Sequence, residues 1–306
     1  MIENLTLDQL RVLIAVAETG SFSGAARRLG RVQSAVSQAV QTLEATLGLP
    51  VFDRSGRTPV LNEAGSAILG DARRLVDGAR ALRARVADMA AGLEPDLPVA
   101  VDSIFPVTVL ADTLRAVAAR YESLAVTVFT EGLGGPESRL REGVVRLAIG
   151  VHREGPDTAD LDTEFLTRVQ LVPVVAACHP LAARPGPLAP ADLQDEVQLV
   201  LTDRTPLTRH RFGGILSRRI WRFADMSTRL EFLLGGFGWC NMPRHMVEGH
   251  IAAGRLVPLA ITGAPPASLP LHILKPRDRP LGQASRWFVA DLRRRLDQCP
   301  GHFGAL

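Results

Sequence analysis

The chain has 306 residues, 46% hydrophobic and 22% charged, which allows two or three domains with a substantial core and excludes a disordered chain. Its formal charge of +3 at pH 7 neither requires nor excludes a nucleic-acid partner, because charge can be concentrated on one face. No apolar run approaches the roughly 20 residues of a membrane-crossing helix, and the opening MIENLTLDQL has neither the basic nor the apolar segment of a secretory leader. A cytoplasmic protein with no membrane partner is therefore expected. Cys178, Cys240 and Cys299 lie too far apart for a metal-ligand pattern, so reduced thiols, no metal and no cofactor are expected.

Residues 5–19 place Leu10, Leu13, Ile14 and Ala17 on one helical face. The stretch from Ser21 to Gly48, SFSGAARRLGRVQSAVSQAVQTLEATLG, reads as two more helices around a tight turn. Ser23 is the expected cap of the first, with Ala25, Ala26 and Leu29 facing a core and Gly30 supplying the freedom of the turn. The second helix starts near Gln33 or Ser34 and is ended by Gly48 and Pro50. On it Val36, Val40, Leu43 and Leu47 form a buried stripe, while Ser34, Ser37, Gln38 and Gln41 fall on another face. Short neutral donors and acceptors can pair with base edges in a major groove without repelling phosphate. The pair therefore fits a helix-turn-helix whose second helix reads DNA; the competing reading is a helical hairpin with a merely solvated face. In Val51–Leu61, Ser55 and Gly56 separate two extended pieces, a two-stranded wing whose Arg54 and Arg57 could reach phosphates or a minor groove.

The dense set Phe22, Ser23, Ala25, Ala26, Leu29, Gln33, Ser34, Ala35, Val36, Ser37, Val40, Leu43, Glu44, Leu47, Gly48, Val51, Phe52, Arg54 and Arg57 resembles the amino-terminal domain of LysR-type transcriptional regulators. The resemblance thins after the first hundred residues but extends over the whole chain in organisation. It implies an α/β protein with a winged helix-turn-helix at 1–62, a dimerising linker helix at 63–91, a hinge at 92–96 and an effector domain at 97–306. That domain would have two lobes, like periplasmic solute-binding proteins: about 97–162 with 267–306, and about 163–266. Expected DNA contacts are Ser23, Arg31, Gln33, Ser34, Ser37, Gln38, Gln41, Arg54 and Arg57, with double-stranded promoter or operator DNA as partner and RNA polymerase as a further one. Two departures concern helix starts: Asn62 stands where the family usually has threonine, and Val32 where serine or threonine often precedes the reading helix. Ser34 is the expected substitute cap.

From Ile68 to Met89 the apolar steps alternate four and three, with Ala72, Ala79 and Val86 at one seam position and Ile68, Leu75, Leu82 and Met89 at the other. This period predicts a coiled-coil dimer whose packing offsets Gly70 and Gly78, each costing the helix about 1 kcal/mol against alanine. A dimer would set two reading helices on successive major grooves, and the resemblance extends this to a tetramer. Beyond Gly92–Pro98, strands at Leu97–Val101, Leu124–Phe129, Arg146–Gly150, Phe165–Ala177, Val197–Leu201 and Ile220–Phe223 alternate with helices at Pro106–Tyr121, Pro136–Glu142, Ser227–Leu234 and Gln283–Leu296. This predicts an α/β domain with mainly parallel strands.

Ligands on such sheets gather beyond the carboxyl ends of strands, where Asp102, Ser103, Thr130, Glu131, Val151, His152, Thr202 and Asp203 fall. The candidates for a small-molecule effector between the lobes are Ser103, Ile104, Phe105, Thr130, Glu131, His152, Thr202 and Asn241. Glu131 is awkward for an anion, so the effector's charge stays open. Trp239 is expected in the core, and His179-Pro180-Leu181 is expected to be a structural turn. An enzyme is not expected: Cys178 has only His179 as a neighbouring base, and adjacent residues on an extended chain point apart. The competing class is a small-molecule-binding protein or enzyme whose amino-terminal helices serve only assembly.

Overall fold

The computed structural model describes residues 4–53, 56, 58–90, 92–152, 160–205, 207, 214–263 and 267–298. Arg54, Arg57 and Cys299 lie outside the described residues. The chain divides into two units, Met1–Ala91 and Gly92–Leu306.

The first unit begins with helix α1 (Leu7–Thr19), closed at its head by a reciprocal clasp in which Gln9 N donates to Thr6 Oγ1 at 3.2 Å and Thr6 N to Gln9 Oε1 at 2.8 Å. Helix α2 (Phe22–Leu29) is capped by Ser21, whose Oγ accepts from Gly24 N at 3.0 Å. The expected cap, Ser23, instead sits exposed in the first turn, two residues too late for its hydroxyl to serve that amide. Gly30, at φ 67°, adopts the left-handed conformation that turns the chain into helix α3 (Gln33–Leu47). Val36, Val40 and Leu43 of α3 are fully buried with Leu13, Val16 and Ala25, each large side chain contributing about 1.5–3 kcal/mol.

Strands β1 (Phe52–Asp53) and β2 (Val60–Leu61) pair antiparallel as the root of the wing. Glu44 Oε1 accepts from Val51 N at 3.0 Å and ties that root to α3. Asn62 caps helix α4 (Glu63–Ala90), its Oδ1 accepting from Gly65 N at 2.8 Å, so the departure from threonine leaves the cap intact.

Helix α4 uses its apolar positions in two ways. Ala72 and Val76 are buried in the core of their own unit and Ile68 packs against it, so the first turns of the expected seam are already occupied. Leu75, Leu82, Val86 and Met89 stay 48–62% exposed. The seam open to a partner therefore begins at Leu75, because α1 lies over the earlier face.

In the second unit, strands β3 (Asp96–Asp102), β4 (Ala125–Glu131) and β5 (Leu147–Gly150) pair in parallel, with helix α5 (Val107–Arg120) after β3 and helix α6 (Gly135–Arg141) after β4. The chain then enters β6 (Leu161–Ala176). Beyond two short 3-10 turns come β7 (Val197–Leu201), β8 (Arg219–Phe223), α7 (Met226–Leu234), β9 (Trp239–Pro243), α8 (Arg244–Ala252), β10 (Leu256–Pro258), β11 (Ala267–Pro276) and α9 (Gln283–Asp297). The strand order is β4-β3-β5-β11-β6-β9-β7-β8, with β10 on β6.

Parallel pairs flank the two ends, but the centre is antiparallel: β6 and β11 pair along their length with a bulge at Leu271/His272. β11 joins β5 through His272–Leu274, and β6 joins β9 through Leu171–Val175, so these two strands carry the chain between lobes. The crossing lies inside both strands, between 165 and 171 on β6 and at 267–271 on β11. The mainly parallel sheet expected from the βα alternation is corrected to a mixed one, because two long connecting strands must run against each other.

In the expected hinge, Leu93 is buried and Glu94 accepts from Ala284 N at 2.8 Å and Ser285 N at 3.0 Å, closing the head of α9. Trp239 is fully buried and donates from Nε1 to Ser217 Oγ at 3.0 Å, a core residue as expected. His179 Nδ1 accepts from Leu181 N at 3.1 Å in the turn expected there.

Candidate functional site

The outer face of α3 is uncharged and open. Gln33, Ser34, Gln38 and Gln41 are exposed and Ser37 is half-buried, opposite the stripe that holds the helix on its core. The helix starts at Gln33, with Val32 as its cap residue, 68% exposed and without a side-chain hydrogen bond. Ser34 does not take over as cap, because it already lies inside the first turn.

Arg31, one of the expected DNA contacts, forks onto Asp8, with Nη1 to Oδ2 and Nη2 to Oδ1 both at 2.7 Å. Its hydrogen bond holds the Asp8 carboxyl below the usual carboxylate range. The cleft of about 240 Å³ between α1, α2 and α4 is rich in arginine, but its carboxylates are already paired: Arg28 and Arg73 meet Glu18 at 2.6 and 3.2 Å, and Arg80 meets Asp77 at 3.1 Å.

The second site lies between the lobes of the second unit. Its cavity is about 160 Å³, lined from one lobe by Asp102, Ile104, Leu133 and Val151, and from the other by Gln198, Leu199, Met226, Arg229 and Asn241. Leu171 and Leu269 of the crossing strands line it too. Of the expected effector residues, Ile104 and Asn241 face this cavity.

The others do not, each for a local reason. Ser103 donates its amide to Glu131 O at 2.7 Å and turns its hydroxyl to Asp102 at 3.5 Å, while Phe105 is buried in the core. Thr130 is the last residue but one of the edge strand β4, one strand farther out than β3. Glu131 accepts from Arg139 Nε at 2.8 Å. His152 is buried beside Glu137, with Nδ1 and Oε2 3.4 Å apart, and Thr202 N donates to Phe223 O at 2.7 Å.

Sequence reasoning left out Arg229 and did not select Asp102. The signal for Arg229 was present: it sits three residues after Met226 and four before Leu233, on the stripe that α7 buries. Burial pushes the Asp102 carboxyl up to about 7, with the Asp203 carboxylate adding to it; the Ile104 and Val151 amides and the Ser103 hydroxyl pull the other way.

The lobes also touch beside the cavity. Gly134 N donates to Asp203 Oδ2 at 3.2 Å, and Asp203 Oδ1 accepts from Thr205 N at 2.7 Å. A Cβ at residue 134 would meet Asp203, Leu207 and Thr205, so only glycine allows this approach. Leu133 beside it holds φ 55°, a strained conformation for a branched side chain.

Two family models cover the two units: "Bacterial regulatory helix-turn-helix protein, lysR family" at residues 7–66 and "LysR substrate binding domain" at residues 90–297. The chain belongs to the LysR family. It is a LysR-type transcriptional regulator, with a helix-turn-helix that binds DNA and an effector-binding domain, and it is not an enzyme. Similar curated proteins include AceR of Acinetobacter baumannii, 27% identical over 97% of this chain and 100% of that one, and PunR of Escherichia coli, 30% identical over 85% and 84%. In fold this LysR-type chain is similar to an OxyR mutant of Corynebacterium glutamicum (TM-score 0.58, 22% identity, 96% and 93% covered) and to CrgA of Neisseria meningitidis (TM-score 0.53, 22% identity, 95% and 99% covered). Among the described residues no helix is long and apolar enough to cross a membrane.

Proposed function

We propose that this regulator reads a promoter or operator through Gln33, Ser34, Ser37, Gln38 and Gln41 of α3, with Ser23 at the head of α2 and Arg54 and Arg57 of the wing on the backbone. The observation that carries this assignment is the exposed, neutral face of α3 opposite a fully buried stripe. It acts in the cytoplasm, without a cofactor, on access of RNA polymerase to the promoter. It dimerises through Leu75, Leu82, Val86 and Met89 of α4, whose exposure in the single chain supports a partner helix there. Pairs of dimers then assemble through the effector domains, where exposed Trp221 and Phe237 support a further contact.

A small effector held between the lobes biases that assembly's grip on DNA. The test is a gel-shift titration on a bound promoter fragment. Ser37→Ala or Gln38→Ala should relax base preference by about 1–3 kcal/mol at one position, while Leu269→Trp, which fills the lobe cavity, should leave DNA binding intact and abolish the ligand response. Unchanged base preference in both α3 variants would remove the assignment of that face.

A further inference from the structure

Two buried groups of opposite charge face the lobe cavity from different walls. Asp102 is 2% exposed; its Oδ1 accepts from Ile104 N at 3.0 Å and from Ser103 Oγ at 3.5 Å, while its Oδ2 is shut off from solvent with no partner in hydrogen-bond geometry, the Val151 amide adding a pull on the carboxyl as a whole. Arg229 is 7% exposed; its Nε donates to Leu199 O at 3.1 Å and its Nη2 to Asn241 O at 2.9 Å, while Nη1 lies 4.0 Å from the Met226 sulfur and the guanidinium also meets the buried Cys240 thiol, so its partners are neutral carbonyls and sulfur atoms. Among the described residues no carboxylate pairs with Arg229. A buried acceptor without a donor and a buried cation without an anion are both costly, and a ligand that supplies the two missing partners would be bound tightly for that reason. Between them Ile104, Leu133, Leu171 and Leu269 form an apolar part of the wall, with Gln198 and Asn241 beside it. Its volume of about 160 Å³ is near that of a cavity that takes benzene, so it suits a body of about six to ten non-hydrogen atoms.

We propose that the cavity binds a small zwitterion, a free amino acid or a compound of that chemistry, with its ammonium on Asp102 Oδ2, its carboxylate on Arg229 Nη1 and its apolar part among Ile104, Leu133, Leu171 and Leu269. The proposal rests on this cavity being the effector site. The strained Leu133 fits a clamp that its occupant holds in place. Burial has left the Asp102 carboxyl near 7, beside Asp203 and across from Arg229, so an arriving ammonium can draw it into the charged form.

The experiment uses the full-length chain in thermal melts and titration calorimetry with three matched probe sets: apolar free amino acids, their N-acetyl derivatives and their methyl esters. At least one free amino acid should raise the melting temperature while both of its blocked forms do not. Asp102→Asn, which keeps the shape of the side chain, should weaken that binding on the order of ten- to a hundredfold. An N-acetyl form that binds as well as its parent overturns the role of Asp102, and an ester that does so overturns that of Arg229. If only one-charge probes bind and Leu269→Trp blocks them, the cavity remains the effector site and the zwitterion is wrong. If Leu269→Trp leaves the binding of a free amino acid intact, or no probe binds, both readings fall.

Discussion

The face of α3 and the cavity between the lobes meet their ligands by opposite means. α3 draws its polar groups from one run, Gln33–Gln41, and leaves nearly all of them in water, where an unbound amide or hydroxyl costs nothing. The cavity gathers Asp102, Leu133, Arg229 and Asn241 from segments far apart in the chain and shuts the charged ones away from solvent, where each charge has a cost until it is partnered. The first surface can meet many sequences weakly and prefer one. The second is costly when empty and therefore selective.

The largest expected effect tests whether the two regions are energetically separate. Leu43→Ala removes a fully buried side chain beneath the α3 face and should cost the first unit about 2–5 kcal/mol. Calorimetry should show one transition moving and the transition of residues 92–306 staying; a common shift of the whole chain would break the contrast. Next comes the cost of the buried carboxyl. Asp102 is held near 7 against an ordinary 3.8, so the folded chain keeps a proton that the unfolded chain releases between those values. The stability this supplies is complete below about pH 4 and is lost as pH rises through 7, on the order of 4 kcal/mol at most. Asp102→Asn should flatten that slope in melts from pH 4 to 8 and raise stability at pH 8. Gly134→Ala should push the lobes apart at a cost of about 1–3 kcal/mol, read as faster hydrogen exchange of the residue 134 amide that Asp203 now holds. The smallest effect is on the other surface: Val32→Ser supplies the missing cap of α3 and should stabilise the first unit by about 1 kcal/mol in denaturant titration.

The same contrast explains what could be read from residues alone. The range of α3, its buried stripe and its polar face are local facts, written at helical spacing within one run, and the structure has them where the spacing puts them. The cap of α2 was misassigned because Ser21 and Ser23 both precede the same small residues, and only the reach to Gly24 N decides between them. Ala72 fits a heptad and a domain core equally well; the position of α1 against α4, which no periodicity encodes, chose the core. In the cavity, strand ends were found but not which ends face inward. β4 lies at the sheet edge, His152 turns to α6 and Glu131 to Arg139, and each outcome depends on how neighbouring elements pack, which strand-end position alone does not encode.

The fork between Arg31 and Asp8 has a consequence for how the protein's grip on a duplex responds to electrolyte. A guanidinium that already holds two carboxylate oxygens brings no net charge to the helix-turn-helix surface, and its partner is itself kept ionised. Arg31 therefore displaces no condensed cations from the polyanion. In a log–log plot of affinity against salt, each arginine that does so adds about −0.9 to the slope, and Arg31 should add nothing until Asp8 is removed.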